Sequence, residues 1–427
     1  MTGRALALAL TLGLAFGGIA PASPPQRNGT LPHGGAYVVR PDAGAPVAAI
    51  ALWFRAPGNG YDGAQPGIAQ LASASCAAVR LAGGKSLVEL VRSLGGRLVL
   101  GGEPDMTTVD IVVPAGSARR ALAAVTAAYF APSVDAGAYA LALRDSAVRG
   151  VERRYSADFA LHDAMLSQMF VSGPAHAPTL PGSADAYPLI SMPSVAAFAK
   201  RAFVPSNAYL VLTGNVDASL LDAVADGDPA AVVSAPLDSA LGPAGTTASV
   251  AGAVAGLAFG FAGPPIHDER AATALDFIGD YLFDTERGVV TRELRATKAS
   301  ALGHFLTFHD PGVTIVSVSG GDLDAAGATV RSAILAMGTP LDAETFAAAR
   351  RAFAYRSAQN ASVPSGLADE LAWYAVQGDA PYAPSDASGT YARTIAALDP
   401  AYVAEIARRY LQTPTVVHLT VDKGSSP

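Results

Sequence analysis

The sequence predicts an α+β fold of two similar domains, each a mainly antiparallel sheet with helices packed on one face. Three observations predict it. Apolar runs of strand length recur between stretches of helical periodicity in both halves of the chain. A low-aromatic stretch rich in Ala, Pro, Gly, Ser and Thr, from Asp226 to Gly252, separates those halves and reads as a linker. Finally, Val195-Ala-Ala-Phe-Ala-Lys-Arg-Ala-Phe matches Val403-Ala-Glu-Ile-Ala-Arg-Arg-Tyr-Leu, each pair 208 positions apart. Each block follows a proline, Pro193 or Pro400, and leads into an apolar strand, so the repeat reads as a duplication.

The totals agree with two domains. At 427 residues and 51% hydrophobic, the chain is too long for one ordinary core and can fill two of about 200 residues each. Charged residues make up 15%, with 29 basic against 36 acidic and no run of one sign. That excludes the basic stripe of a nucleic-acid binder.

Arg4, an uncharged apolar run from Ala5 to Ala20, and Ala20-Pro21-Ala22 before Ser23 form a secretory signal pattern. The run is shorter than the roughly 20 residues of a membrane span. Residues 1–22 are therefore expected to be cleaved, leaving an exported, periplasmic or extracellular chain with no membrane span. The alternative is an uncleaved anchor, since one basic residue makes a thin leading region. Residues 23–34 read as an extended arm, 35–225 as the first domain, 226–252 as the linker and 253–424 as the second domain.

In the first domain, Ala36 to Arg40 and Val47 to Arg55 read as strands joined through Pro41, Asp42 and Gly44. A Pro/Gly-rich turn follows through Pro57, Gly58, Gly60 and Gly63. Helices are expected at 67–82 and Ser86 to Leu94, the second closed by Gly95-Gly96. Strands come next at Arg97 to Leu100 and Met106 to Val113. Long helical patterns fill Ser117 to Tyr129, Asp135 to Tyr155 and Asp158 to Phe170. A helix at Ser194 to Phe203 and a strand at Ala208 to Thr213 close the domain. The second domain opens in the same way, with a strand at Leu257 to Phe261, a Pro/Gly break and a helix at Arg270 to Leu282.

The first helix carries the functional question. Ile68, Leu71, Ala72, Ser75, Cys76 and Val79 form a small apolar stripe suited to a sheet. Gln70, Ser73 and Ala74 share another face, at the i, i+3, i+4 spacing that can present two metal ligands and a general base together. Cys76, the single cysteine, lies in the apolar stripe and reads as a buried, inert thiol. No two of the seven histidines stand three or four apart, and neither a Gly-x-Ser-x-Gly elbow nor a phosphate loop is present.

Strand, Gly-rich turn and Pro66-Gly67-Ile68-Ala69 opening a helix resemble the insulinase, or pitrilysin, family of zinc peptidases. The resemblance extends along the chain: Asp105 beyond the fourth strand, Asn207-Ala-Tyr-Leu-Val-Leu-Thr-Gly-Asn-Val at the end of the first domain, and Arg292-Glu-Leu-Arg295 in the second. The family's helix continues as His-x-x-Glu-His. Here those positions hold Gln70, Ser73 and Ala74, an amide, a hydroxyl and a methyl, which cannot bind zinc and activate its water. The family's third ligand falls on Val151, with Glu152 adjacent; a solvated helix charge is the other account of Glu152. The resemblance places the family's substrate-edge pair on Val99 and Leu100 and a substrate-binding Arg on Arg295, while the matching Tyr position is Leu302. The alternatives are ordinary sheet core for Val99-Leu100 and a surface ion pair for Arg295.

These departures imply a non-catalytic member with no metal of its own. It is similar to the non-catalytic subunits of two-chain members such as mitochondrial processing peptidase. The expected partner is a homologous zinc-bearing peptidase subunit, with zinc held in that chain, and the expected ligand an extended peptide. The alternative is a binding or scaffold protein of the same fold with no peptidase partner.

Overall fold

A computed structural model describes residues 26–32, 34–55, 62, 65–176, 187–227, 238–377 and 387–421. The signal segment and the turn through Pro57, Gly58, Gly60 and Gly63 lie outside the described residues.

The first half runs β1 (Arg27–Thr30), β2 (Ala36–Pro41), β3 (Val47–Arg55), α1 (Ile68–Ala78), α2 (Leu87–Ser93), β4 (Arg97–Gly102) and β5 (Met106–Pro114). It continues through α3 (Ala118–Phe130), α4 (Ala136–Tyr155), α5 (Ala157–Met169), β6 (Phe170–Ser172), α6 (Met192–Ala202) and β7 (Ala208–Gly214). The second half runs β8 (Ala240–Leu241), β9 (Thr247–Gly252), β10 (Gly256–Ala262), α7 (Glu269–Phe283), α8 (Val289–Leu294), β11 (Ala299–Leu306) and β12 (Val313–Gly320). It closes with α9 (Leu323–Ala336), α10 (Ala343–Ala361), α11 (Pro364–Val376), α12 (Ala387–Ala397), α13 (Pro400–Tyr410) and β13 (Thr415–Val421).

The duplication is visible in the topology. The first sheet is ordered β1-β2-β7-β3-β5-β4 and the second β11-β12-β10-β13-β9. Read from the β4 and β11 edges, the two share one order, with β1 added to the first. Each contains a single parallel pair in the same place, β2 with β7 and β9 with β13, in otherwise antiparallel ladders.

Strand β3 shows why the sequence alone leaves part of this fold open. It is apolar at nearly every position, as a strand covered on both faces must be. Alternate residues Ala48, Ile50, Leu52 and Phe54 enter the core under the first half's own helices. Ala49, Ala51 and Trp53 face the other way and pack with Ala368, Leu371 and Ala372 of α11, a helix from the second half. The exchange is reciprocal. Helix α5 of the first half packs on the second sheet, where Leu161, Met165 and Met169 join Ala258 and Val417. Gly260 of β10 permits that approach, because a Cβ there would stand 2.3 Å from the Met169 sulfur. Helices of each half's own thus cover one face of its sheet, as expected, and a helix from the other half covers the second face.

Polar bonds reinforce the exchange. Thr213 Oγ1 donates to the Pro364 carbonyl, Ser317 Oγ donates to Asp158 Oδ1 at 2.8 Å, and Gln377 Nε2 donates to Asp105 Oδ2 at 2.8 Å. Trp53 and Trp373 meet edge to face, with centroids 6.4 Å apart.

The described part of the arm is extended, and β1 pairs with β2 from Arg27 to Thr30. Two local expectations change. The stretch from Asp226 to Gly252, read from its composition as linker, contributes β8 and β9, and β9 completes the second sheet beside β13. The first helix ends at Ala78, since Val79 turns extended and Arg80 bridges to Ser86. Ser86 then starts α2 with a reciprocal capping box to Glu89, and Gly95 at φ 76° ends that helix as expected.

Candidate functional site

Helix α1 is buried along nearly its whole length. Every residue from Ile68 to Ala77 is buried, because α4 and α6 cover the faces that the first sheet does not. The face expected to present chemistry is therefore shut in: Gln70 is 5% exposed, Ser73 0% and Ala74 7%. Ser73 is committed to the core. The Tyr129 hydroxyl donates to its carbonyl oxygen and stands 3.0 Å from its Oγ. Tyr129 in turn packs against Phe54 and Phe203, at centroid distances of 5.8 and 5.3 Å. Cys76 is likewise buried, which pushes its thiol pKa up to about 12 and keeps it protonated.

The start of α1 depends on a residue the sequence reading passed over. Asp62 accepts hydrogen bonds from the backbone N–H groups of Gly67, at 2.5 Å, and Ala69, at 3.1 Å. Those are donors that the first turn of a helix cannot satisfy internally. Burial outweighs these two bonds and raises the Asp62 pKa from 3.8 to about 7. A raised carboxyl pKa makes the neutral form the favoured one in the folded chain. The contribution is therefore complete at pH below 3.8 and is lost as pH rises through 7. Asp62→Asn keeps an acceptor and removes the ionisation. Its stability relative to the native chain should rise between pH 4 and pH 7 by about 3 kcal/mol and level off above that range, read by denaturant titration across pH. A flat difference would show that Asp62 is not held this way.

Beside α1 lies a groove of about 670 Å³. Ala74 and Ala78 of α1, Ala142 and Arg149 of α4, and Leu98 and Leu100 of β4 form its walls. Among the described residues strand β4 pairs with β5 alone, which leaves its other edge open. Of the residues singled out from the sequence, the groove brings together Ala74 and Leu100. It does not include Val99, which alternates to the opposite face and is 39% exposed. Leu98, not Val99, is the partner of Leu100 there. Period-two reasoning from Leu100 would have found it.

Val151 and Glu152, the expected third-ligand region, are exposed on the outer side of α4. The inward stripe of that helix is Ala138, Ala142, Ser146 and Gly150, with Arg149 reaching the groove. Arg295 lies at the end of α8 in the second half, exposed, with its guanidinium bonded to the Glu286 carbonyl, and it does not line the groove.

A catalytic zinc does not fit these residues. An amide, a hydroxyl already bonded to Tyr129 and a methyl stand where imidazoles and a carboxylate would be needed, and Glu152 points away. Among the described residues no three His, Cys, Asp or Glu side chains stand close enough to hold a metal ion.

No protein-family model and no curated protein matches the sequence. Solved structures do match it. A protease from Helicobacter pylori superposes with a TM-score of 0.79 at 18% identity, over 93% of this chain and 100% of that one. A peptidase M16 inactive domain from Pseudomonas fluorescens gives 0.74 at 15% identity, over 94% and 99%. A chain of complex III from Candida albicans gives 0.74 at 12% identity, over 92% and 95%. The fold is therefore the two-domain fold of the insulinase-type, or M16, peptidases. At the positions that the sequence resemblance assigns to that family's zinc motif, this chain carries Gln70, Ser73 and Ala74.

Proposed function

We propose that this chain is a non-catalytic insulinase-type homologue that is exported, pairs with a zinc-bearing homologue and supplies part of its peptide-binding chamber. One observation carries this reading. The helix that would hold the metal is closed and filled with non-ligating residues, while the groove and open strand edge beside it persist. An open edge binds extended peptide through main-chain hydrogen bonds, with alternate side chains giving selectivity. Leu98 and Leu100 face the groove at that spacing.

The partner role draws support from α4. Leu141, Val148, Val151 and Tyr155 are all exposed apolar residues on that helix, and α5 continues them with Phe159. Apolar patches of this kind mark surfaces that other proteins cover. Any zinc would then lie in the partner chain. No helix among the described residues is long and apolar enough to cross a membrane.

The second reading, a scaffold with no peptidase partner, draws support from the likeness to a chain of complex III. Affinity purification of the tagged full chain from its native envelope separates the two. Recovery of a homologue with an intact His-x-x-Glu-His helix is the expected result; a lone chain, or a complex free of such a homologue, favours the scaffold.

A further inference from the structure

The groove lining carries one more positive than negative side chain, with Arg80, Arg92, Arg144 and Arg149 against Glu89, Asp135 and Asp145. Arg149 reaches it from α4, and its Nε is buried with no hydrogen-bond partner among the described residues. The Nε itself is shielded from solvent, and among the described residues the guanidinium makes no hydrogen bond or ion pair, so the rest of its fork is available to an acceptor in the groove. The acidic residues nearby are already committed. Glu89 accepts from the Ser86 backbone at 2.9 Å, Asp135 from that of Ala138 at 2.8 Å, and Asp145 pairs with Arg144 at 3.1 Å. Arg92 adds a further positive charge to the same lining. In a chain with a formal charge of −7, this is a locally basic hollow.

We infer that the groove selects extended peptides bearing a carboxylate, which the Arg149 guanidinium binds. The inference rests on the peptide-chamber reading and specifies its ligand. A guanidinium offers a planar fork that matches a carboxylate with two parallel hydrogen bonds. A peptide added to the open edge of β4 would direct alternate side chains into the hollow beside Leu98 and Leu100, within the space bounded by Arg149. The carboxylate could come from an acidic side chain or from a peptide C-terminus, and the chemistry at Arg149 is the same.

Fluorescence anisotropy on the full chain tests this with labelled peptides of one apolar sequence carrying a central Glu or Gln, each with a free or an amidated C-terminus. Carboxylate-bearing peptides should bind about tenfold more tightly than the amidated Gln peptide. A preference that survives amidation of the Glu peptide assigns the side chain as its source; one that follows the free C-terminus assigns the terminus. Arg149→Gln should erase the preference, Arg149→Lys should retain part of it, and Arg287→Gln, exposed in the second half, should leave it intact. Equal affinity of the native chain for all four peptides would overturn the inference even if no Arg149 variant folds, and so would a preference that survives Arg149→Gln. Equal binding leaves the chamber reading standing, because recovery of the zinc-bearing homologue tests that separately. Absence of any peptide binding would overturn the carboxylate site.

Discussion

Ser73→Glu is expected to destabilise the chain by about 4 kcal/mol, as befits a charge buried without a counter-ion. In an active insulinase-type helix this position would hold the general base and would have to reach water. Here Ser73 is fully buried against Tyr129, and the surrounding contacts with Phe54 and Phe203 leave no solvent to receive a carboxylate. The pH dependence separates charge from size. Burial raises a carboxyl pKa, so the loss should shrink as pH falls and the glutamate is protonated. Ser73→Gln, of nearly the same volume but never charged, should cost about 2 kcal/mol at every pH, from overpacking alone. Denaturant melts from pH 4 to pH 8 read both. A Ser73→Glu chain as stable as the native one would mean that the helix has an open face.

Leu371→Ala and Leu161→Ala are each expected to cost about 3 kcal/mol, the usual scale for a large residue removed from a packed core. Leu371 of α11 is 1% exposed against the first sheet, and Leu161 of α5 is 0% exposed against the second. The location of the damage is the sharper expectation. Hydrogen exchange should accelerate in β3 and β7 for Leu371→Ala and in β10 and β13 for Leu161→Ala, each time in the half that does not contain the substitution. Damage confined to the substituted half would contradict the reciprocal packing.

That exchange could not be read from the sequence, for a physical reason. Amphipathic periodicity says that α5 and α11 bury a face, but it does not say which sheet receives it. The near-continuous apolar run of β3 was a partial signal, since a strand open on one face would alternate more strictly. The order of strands and helices in most of the first half and the duplication were legible, because the former rests on periodicity within each segment and the latter on a local pattern that recurs 208 positions on. Strand β9 was hidden because Thr-Ala-Ser-Val-Ala-Gly has little β-forming character of its own and becomes a strand by pairing with β13.

The groove was half legible. Gln70, Ser73 and Ala74 lie on one helix, as the spacing predicts, but the way α4 and α6 close over them depends on packing between segments. The same dependence appears along α4. The spacing carried over from the family landed on Val151 and Glu152, whereas the helix turns Gly150 inward and brings Arg149 to the groove, a phase difference of one or two residues. On β4 a shift of one residue had the full consequence that alternation imposes, exchanging groove-facing Leu98 for outward-facing Val99.

We propose that this chain, whose fold is that of an insulinase-type peptidase, holds no catalytic metal of its own. Metal analysis of the purified, zinc-equilibrated full chain, paired with cleavage of an unfolded peptide, tests this. Zinc far below one ion per chain and no turnover are the predicted results. Stoichiometric zinc together with cleavage that a chelator abolishes would contradict the claim.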